Sequence, residues 1–238
     1  DAVYFAGKHF GARSFAKNFN RKEIKKAIEY CHLREVNVYI TVNTLIKQNE
    51  LQKVLEYINF LYINNVDSII IQDIGLAKYV TEFFPDLDIH ASTQMTAYSL
   101  ADVLHLEKLG FSRVILSREV NFETLKYIKN NSNVELEVFV HGSLCMSYSG
   151  QCLMSSFIGG RSANRGKCAQ PCRRIYKLKD LEDNIYNKGY ILSAKDLKTL
   201  KEIDKLKNIG IASLKIEGRM KSKEYVYEIV KAYKNNFK

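Results

Sequence analysis

The 238 residues contain no tryptophan and only two prolines. Scarce proline leaves helices and strands uninterrupted, and no proline-rich linker divides the chain. No run of about 18 apolar residues occurs, so no membrane-spanning helix is expected. No targeting segment is visible, which makes the cytoplasm the expected compartment. No GxGxxG follows the first apolar strand, which argues against a dinucleotide-binding sheet. Neither HExxH nor GxSxG is present, so the usual zinc-peptidase and serine-hydrolase signatures are missing. An acidic excess is also missing: the net charge is +10. At 46% hydrophobic and 26% charged residues, the composition is that of a folded chain.

What is present is a cysteine-rich stretch, Glu137 to Arg174. It holds four of the five cysteines, Cys145, Cys152, Cys168 and Cys172, at spacing C-x6-C-x15-C-x3-C. Four clustered thiols can form two disulfides, a zinc site or an iron–sulfur cluster. Disulfides belong to oxidising compartments. Structural zinc favours short cysteine pairs at both ends, and the six-residue gap here is loose for it. Uneven spacing on a long loop suits an iron–sulfur cluster. Spacing leaves all three open. Cys31 lies on the apolar face of a helix and reads as a core thiol.

The run HGSLCMSYSGQCLMS, followed by GGRSANRGKCAQPCR, resembles the signature of the collagenase-like U-thirty-two peptidase family. DAVYFAG, ITVNTL, IIIQDIGL, IHASTQM, VILSRE and SLKIEGRMKS resemble further family segments in the same order. The resemblance covers essentially the whole chain. It implies a four-iron cluster (4Fe-4S) on Cys145, Cys152, Cys168 and Cys172. It implies hydroxylation of an RNA base or a ubiquinone precursor without oxygen gas, with prephenate as the oxygen donor of some relatives. Some relatives resemble heterodimers, which makes a partner subunit an expectation. A strand and a helix normally precede the DAVY segment in this family, so the expected barrel lacks its first strand.

The length suits one α/β domain. Short apolar strands alternate with helices, the βα signature of a parallel sheet, from Ala2–Phe5 to a last strand at Ala212–Ile216. Repetition without a break favours a TIM-like (β/α) barrel over residues 1–238. A cysteine-rich, cluster-binding insertion over 141–193 interrupts it. Within that insertion Ile175–Leu178 and Tyr190–Leu192 read as a hairpin. Asp196–Leu206 reads as a helix, and a basic helix over Lys223–Tyr233 ends the pattern.

In such barrels active sites gather at the C-terminal ends of the strands. Those ends carry Asn43, Asp73, Gln94, Arg118, Glu119, His141, Glu217 and Arg219. His141 is the natural acid/base candidate. Arg118 and Arg219 offer forks for a carboxylate or phosphate. Glu119 or Glu217 would orient them or move protons. Asn43 and Gln94 are candidate substrate-binding groups, and Arg161, Arg165 and Lys167 form a loop suited to phosphate. Tyr148 and Phe157 are candidates for base stacking. Residues 1–160 carry a balance of −1 and residues 161–238 one of +11. That asymmetry favours a polyanion such as RNA over a quinone.

The leading function is therefore hydroxylation of an RNA base, most plausibly a tRNA uridine giving 5-hydroxyuridine. The runner-up is a collagenase-like peptidase using a Cys145–His141 pair. A non-catalytic subunit is the third option.

Overall fold

The computed structural model describes residues 1–218 and 221–236. Its order is β1 (Ala2–Ala6), α1 (Arg21–His32), β2 (Asn37–Val42), α2 (Leu51–Ile63), β3 (Ser68–Ile71) and α3 (Ile74–Phe83). Then come β4 (Asp88–Ala91), α4 (Leu100–Lys108), β5 (Arg113–Ile115), α5 (Phe122–Asn130) and β6 (Glu135–Gly142). The insertion follows, with α6 (Met154–Gly159), β7 (Tyr176–Lys179) and β8 (Ile185–Gly189). The chain returns through β9 (Leu197–Lys198), α7 (Ile203–Ile209), β10 (Ser213–Ile216) and α8 (Lys223–Asn236).

The helices begin where polar side chains cap them. Asn20 and Glu23 form a capping box for α1, and Ser99 with Asp102 does so for α4. Asp73 accepts from the Leu76 N–H at the start of α3, and its other oxygen accepts from the Ile46 N–H. Asp73 is thus a cap, the plain alternative to a catalytic role for an acid at a strand end.

Seven strands form one parallel sheet in the order β1-β2-β3-β4-β5-β6-β10, and β9 pairs antiparallel with β6. All four residues of β3, Ser-Ile-Ile-Ile, are buried. A strand with helices outside and a filled interior needs apolar residues on both faces. Each fully buried isoleucine contributes about 1.5–3 kcal/mol. The sheet curls as a TIM-like barrel wall does. Lys215 of β10 sets its Nζ 4.0 Å from the ring centroid of Tyr4 in β1, although the two strands stand at opposite ends of the sheet order. Lys234 of α8 also pairs with Asp1. Among the described residues β1 and β10 form no ladder with each other.

Two expectations need correction. The second arm of the hairpin is Ile185–Gly189, not Tyr190–Leu192. The cause is Asp180, whose carboxylate accepts from the backbone N–H groups of Glu182 and Asn184 and folds the turn early. Asp196–Leu206 is not one helix. Leu197 and Lys198 pair with Gly142 and His141, a 3-10 turn covers Leu200–Glu202, and only Ile203–Ile209 is α-helical. Pairing with the free edge at the end of β6 outweighs local helix propensity. The short α6 also arises where no helix was expected, within the cysteine segment.

Gly142 ends β6 against Glu217, the residue after β10. Its φ is +114°, and a Cβ there would lie 2.6 Å from the Glu217 carbonyl oxygen. Gly142→Ala is expected to destabilise the fold by about 1–3 kcal/mol from backbone strain alone. Urea unfolding monitored by circular dichroism checks this, and an unchanged midpoint would contradict the close approach.

Candidate active site at the barrel mouth

A cavity of about 710 Å³ opens at the C-terminal ends of the strands. Its floor is Tyr4, Thr41, Ile70, Ile115, Phe139 and Lys215, and its upper wall is the cysteine segment. Cys145, Cys152, Cys168 and Cys172 all line it. Cys145 is exposed and the other three are half-buried, all as free thiols. Burial raises the pKa of Cys172, and the neighbouring Cys145, Cys168 and Cys152 raise it further. The other three thiols of the segment thus all act on Cys172. Among the described residues no group of three or more His, Cys, Asp or Glu is set to hold a single metal ion. The Gln170 N–H points at the Cys168 sulfur at 3.3 Å.

A loop this long needs anchors, and side chains supply them. Ser149 is fully buried. Its N–H donates to Glu119 Oε1 at 3.1 Å, its Oγ lies 3.2 Å from Oε2, and its carbonyl accepts from Thr96 Oγ1 at 2.7 Å. Arg173 donates to the carbonyls of Leu144 (2.7 Å) and Ala194 (2.6 Å) and to Ser193 Oγ. Arg165 donates to the Leu45 carbonyl at 2.6 Å and pairs with Glu50 at 2.7 Å.

The structure sorts the sequence candidates. Asn43, Gln94, Arg118 and Glu217 line the cavity with the four cysteines. Asn43 is held in place, accepting from the Ala12 N–H and donating to Ser92 Oγ. Arg118 rests 5.9 Å from the Phe139 ring centroid, and its Nε is buried without a hydrogen-bond partner. That guanidinium faces the cavity with donors unmatched among the described residues. Glu119 is not in the wall; it anchors Ser149. Arg165 anchors as well, while Lys167 and Arg161 are exposed beside the cavity. His141 points elsewhere. Its Nε2 lies 2.9 Å from the Tyr225 hydroxyl and its Nδ1 3.4 Å from that of Tyr233, both on α8. Burial lowers its pKa, with Asp196 opposing. Arg219 lies outside the described residues.

The sequence reading missed the ionic layer beneath the cavity. Lys215 is 7% exposed and Glu137 3%, with Nζ and Oε1 2.7 Å apart. Arg113 reaches Glu137 at 3.4 Å and Glu135 at 2.6 Å. Burial alone would raise the Glu137 pKa, but Lys215, Ser213 and Arg113 together lower it. His90 sits in the same layer against Tyr39, and burial followed by Arg113 drops its pKa to about 3. The available signal was a lysine and a glutamate inside otherwise apolar strands, SLKI and ELEVFV.

Across residues 1–238 the sequence matches the profile of Peptidase family U32. The chain belongs to this family. Among U32 relatives, the 23S rRNA 5-hydroxycytidine C2501 synthase of Escherichia coli (strain K12) is 37% identical over 98% of this chain and 35% of its own length. The tRNA hydroxylation protein P1 of Bacillus subtilis (strain 168) is 34% identical over 98% of this chain and 57% of its own length. A protein named Collagenase, from Porphyromonas gingivalis, is 37% identical over 98% of this chain and 59% of its own length. The chain thus spans about a third to three-fifths of these relatives. The solved U32 peptidase Mk0906 shares the fold, with a TM-score of 0.50 at 18% identity over 60% of this chain and 62% of that one.

Two outcomes follow from the ionic layer. Lys215→Met leaves Glu137 buried beside Arg113 alone and is expected to cost about 3–5 kcal/mol. The double variant Lys215→Met, Glu137→Leu should recover most of that in urea unfolding; no recovery would mean the pair is not coupled. His90 is neutral when folded, whereas unfolded it takes a proton below about pH 6.5. Its contribution is therefore complete above pH 6.5 and is lost as pH falls toward 3, by about 1.4 kcal/mol per unit. Unfolding free energies at pH 7 and pH 5 should differ less in His90→Gln than in the wild type.

Proposed function

We propose that this chain is the catalytic part of an iron–sulfur enzyme that hydroxylates a pyrimidine base of RNA. The observation that carries the reading is the convergence of Cys145, Cys152, Cys168 and Cys172 on one cavity that also holds the unmatched guanidinium of Arg118. RNA as the substrate class is supported by relatives named for rRNA and tRNA hydroxylation. The basic balance of residues 161–238 supports it as well. The finer reading is a tRNA uridine converted to 5-hydroxyuridine, independent of oxygen gas, with prephenate supplying the oxygen. A partner subunit and a cytoplasmic setting complete it.

The residues fit a 4Fe-4S centre: four thiols around a common space, an N–H directed at Cys168, and anchors on both halves of the loop. When bound, such a centre supplies one-electron chemistry beside the substrate. The protein's own groups do the rest. Arg118, lacking an internal counter-charge among the described residues, binds a carboxylate of the oxygen donor. Asn43 and Gln94 offer amides to the edge of the base. Phe139 and Ile115 form an apolar floor that excludes water from the reacting carbon. Lys215, fixed by Glu137, presents a positive charge below the base, where developing negative charge on the pyrimidine would be stabilised.

The peptidase reading has less support. Its Cys145–His141 pair is not assembled, because both His141 nitrogens face tyrosines of α8. To test the reading, anaerobically purified protein is incubated with prephenate and RNA from cells lacking the gene. The expected result is one added oxygen atom on a pyrimidine nucleoside by mass spectrometry, absent with Cys168→Ser and reduced about 100-fold or more with Arg118→Ala. Unmodified RNA together with cleavage of a collagen peptide would reverse the assignment.

A further inference from the structure

One edge of the cavity mouth is built by two segments far apart in sequence. Residues 7–20, the loop after β1, bring Arg13 and Phe15 into the wall, and the cysteine segment places Arg161 and Lys167 beside them. Ser14 stitches the two together. Its N–H and its Oγ both donate to the Gly166 carbonyl, at 3.1 and 2.7 Å. Gly166, at φ +80°, is packed so closely that a Cβ would lie 2.5 Å from the Gly11 carbonyl oxygen. Phe15 thus sits beside a tight joint, yet the residue is 66% exposed. The Arg161 guanidinium lies 5.6 Å from its centroid. Arg165 is committed to Glu50, whereas Arg13, Arg161 and Lys167 make no ion pair among the described residues.

An exposed aromatic ring with Arg161 beside it, and with Arg13 and Lys167 on the two segments that Ser14 and Gly166 join at the cavity's edge, has a definite chemical complement. We propose that Phe15, with Arg13, Arg161 and Lys167, is the docking platform for an unpaired stretch of RNA. A base neighbouring the reacting nucleotide stacks on Phe15, and the cations hold the phosphates on either side. The inference rests on the RNA reading above and adds the form of RNA taken and the surface that takes it. The reacting base must enter a cavity of about 710 Å³, which admits no duplex, so it must leave any stack first. Stacking on an aromatic replaces what that nucleotide's neighbour loses, without regard to sequence. Arginine over the ring adds to the attraction.

The test is fluorescence anisotropy with a labelled oligouridylate and with a labelled RNA duplex, using anaerobically purified protein whose visible absorbance confirms an intact cysteine segment. Wild type is expected to prefer the single strand. Phe15→Ala should weaken it about 5- to 100-fold, while Phe15→Tyr stays near wild type. Arg161→Gln should lower the slope of log affinity against log salt by about 0.7. Equal binding by wild type, Phe15→Ala and Arg161→Gln would overturn the platform while leaving RNA as the substrate. Duplex bound as tightly as single strand would overturn the preference for unpaired RNA. A wild type that binds neither would remove the RNA reading as well.

Discussion

The docking of the cysteine segment onto the strand ends is the constraint on which the site depends. Between β6 and β9 the chain adds no strand to the barrel sheet, so side chains must hold it against the strand ends. Ser149 and Arg173 take over that work. Ser149 bonds to Glu119 after β5 and to Thr96 after β4, fixing the Cys145–Cys152 half. Arg173 ties the carbonyl next to Cys145 to the segment approaching β9. A thiol set that must share a cofactor needs this kind of outer support, because ligand geometry is only as good as what holds it.

Beneath the cavity, the barrel interior departs from the apolar filling expected of a parallel sheet. Lys215, Glu137, Arg113 and His90 occupy it as one connected layer. A buried ion pair seldom adds stability over an apolar pair of equal size. The layer lies under the cavity, with Lys215 in its wall. The same layer explains why His90 remains neutral: burial and the two cations both disfavour its proton.

Much of the barrel was legible in the sequence. The first strand, read as Ala2–Phe5, is Ala2–Ala6, and the last, read as Ala212–Ile216, is Ser213–Ile216, because a short apolar run between helical stretches marks a strand of a parallel sheet. The cysteines announced the site by spacing, and the strand-end rule brought Asn43, Gln94, Arg118 and Glu217 to the same cavity. Other roles were not legible. His141 stands at the C-terminal end of β6 as a mouth residue should, but side-chain direction alternates along a strand, and α8 receives it instead. Glu119 and Arg165 looked like chemistry and serve as anchors, since a charge in a loop reads the same in either role. Lys215 passed as an ordinary strand residue because its partner, Glu137, lies 78 residues away.

The central claim is that the four thiols of the barrel mouth hold a single multi-iron centre. Iron K-edge X-ray absorption on anaerobically purified protein tests it most directly. The account predicts an all-sulfur first shell together with an iron–iron scattering contribution, both lost when Cys145, Cys152, Cys168 or Cys172 is replaced by serine. A protein that binds a lone zinc ion with no metal–metal contribution, or one in which the cysteines pair as disulfides, would contradict it.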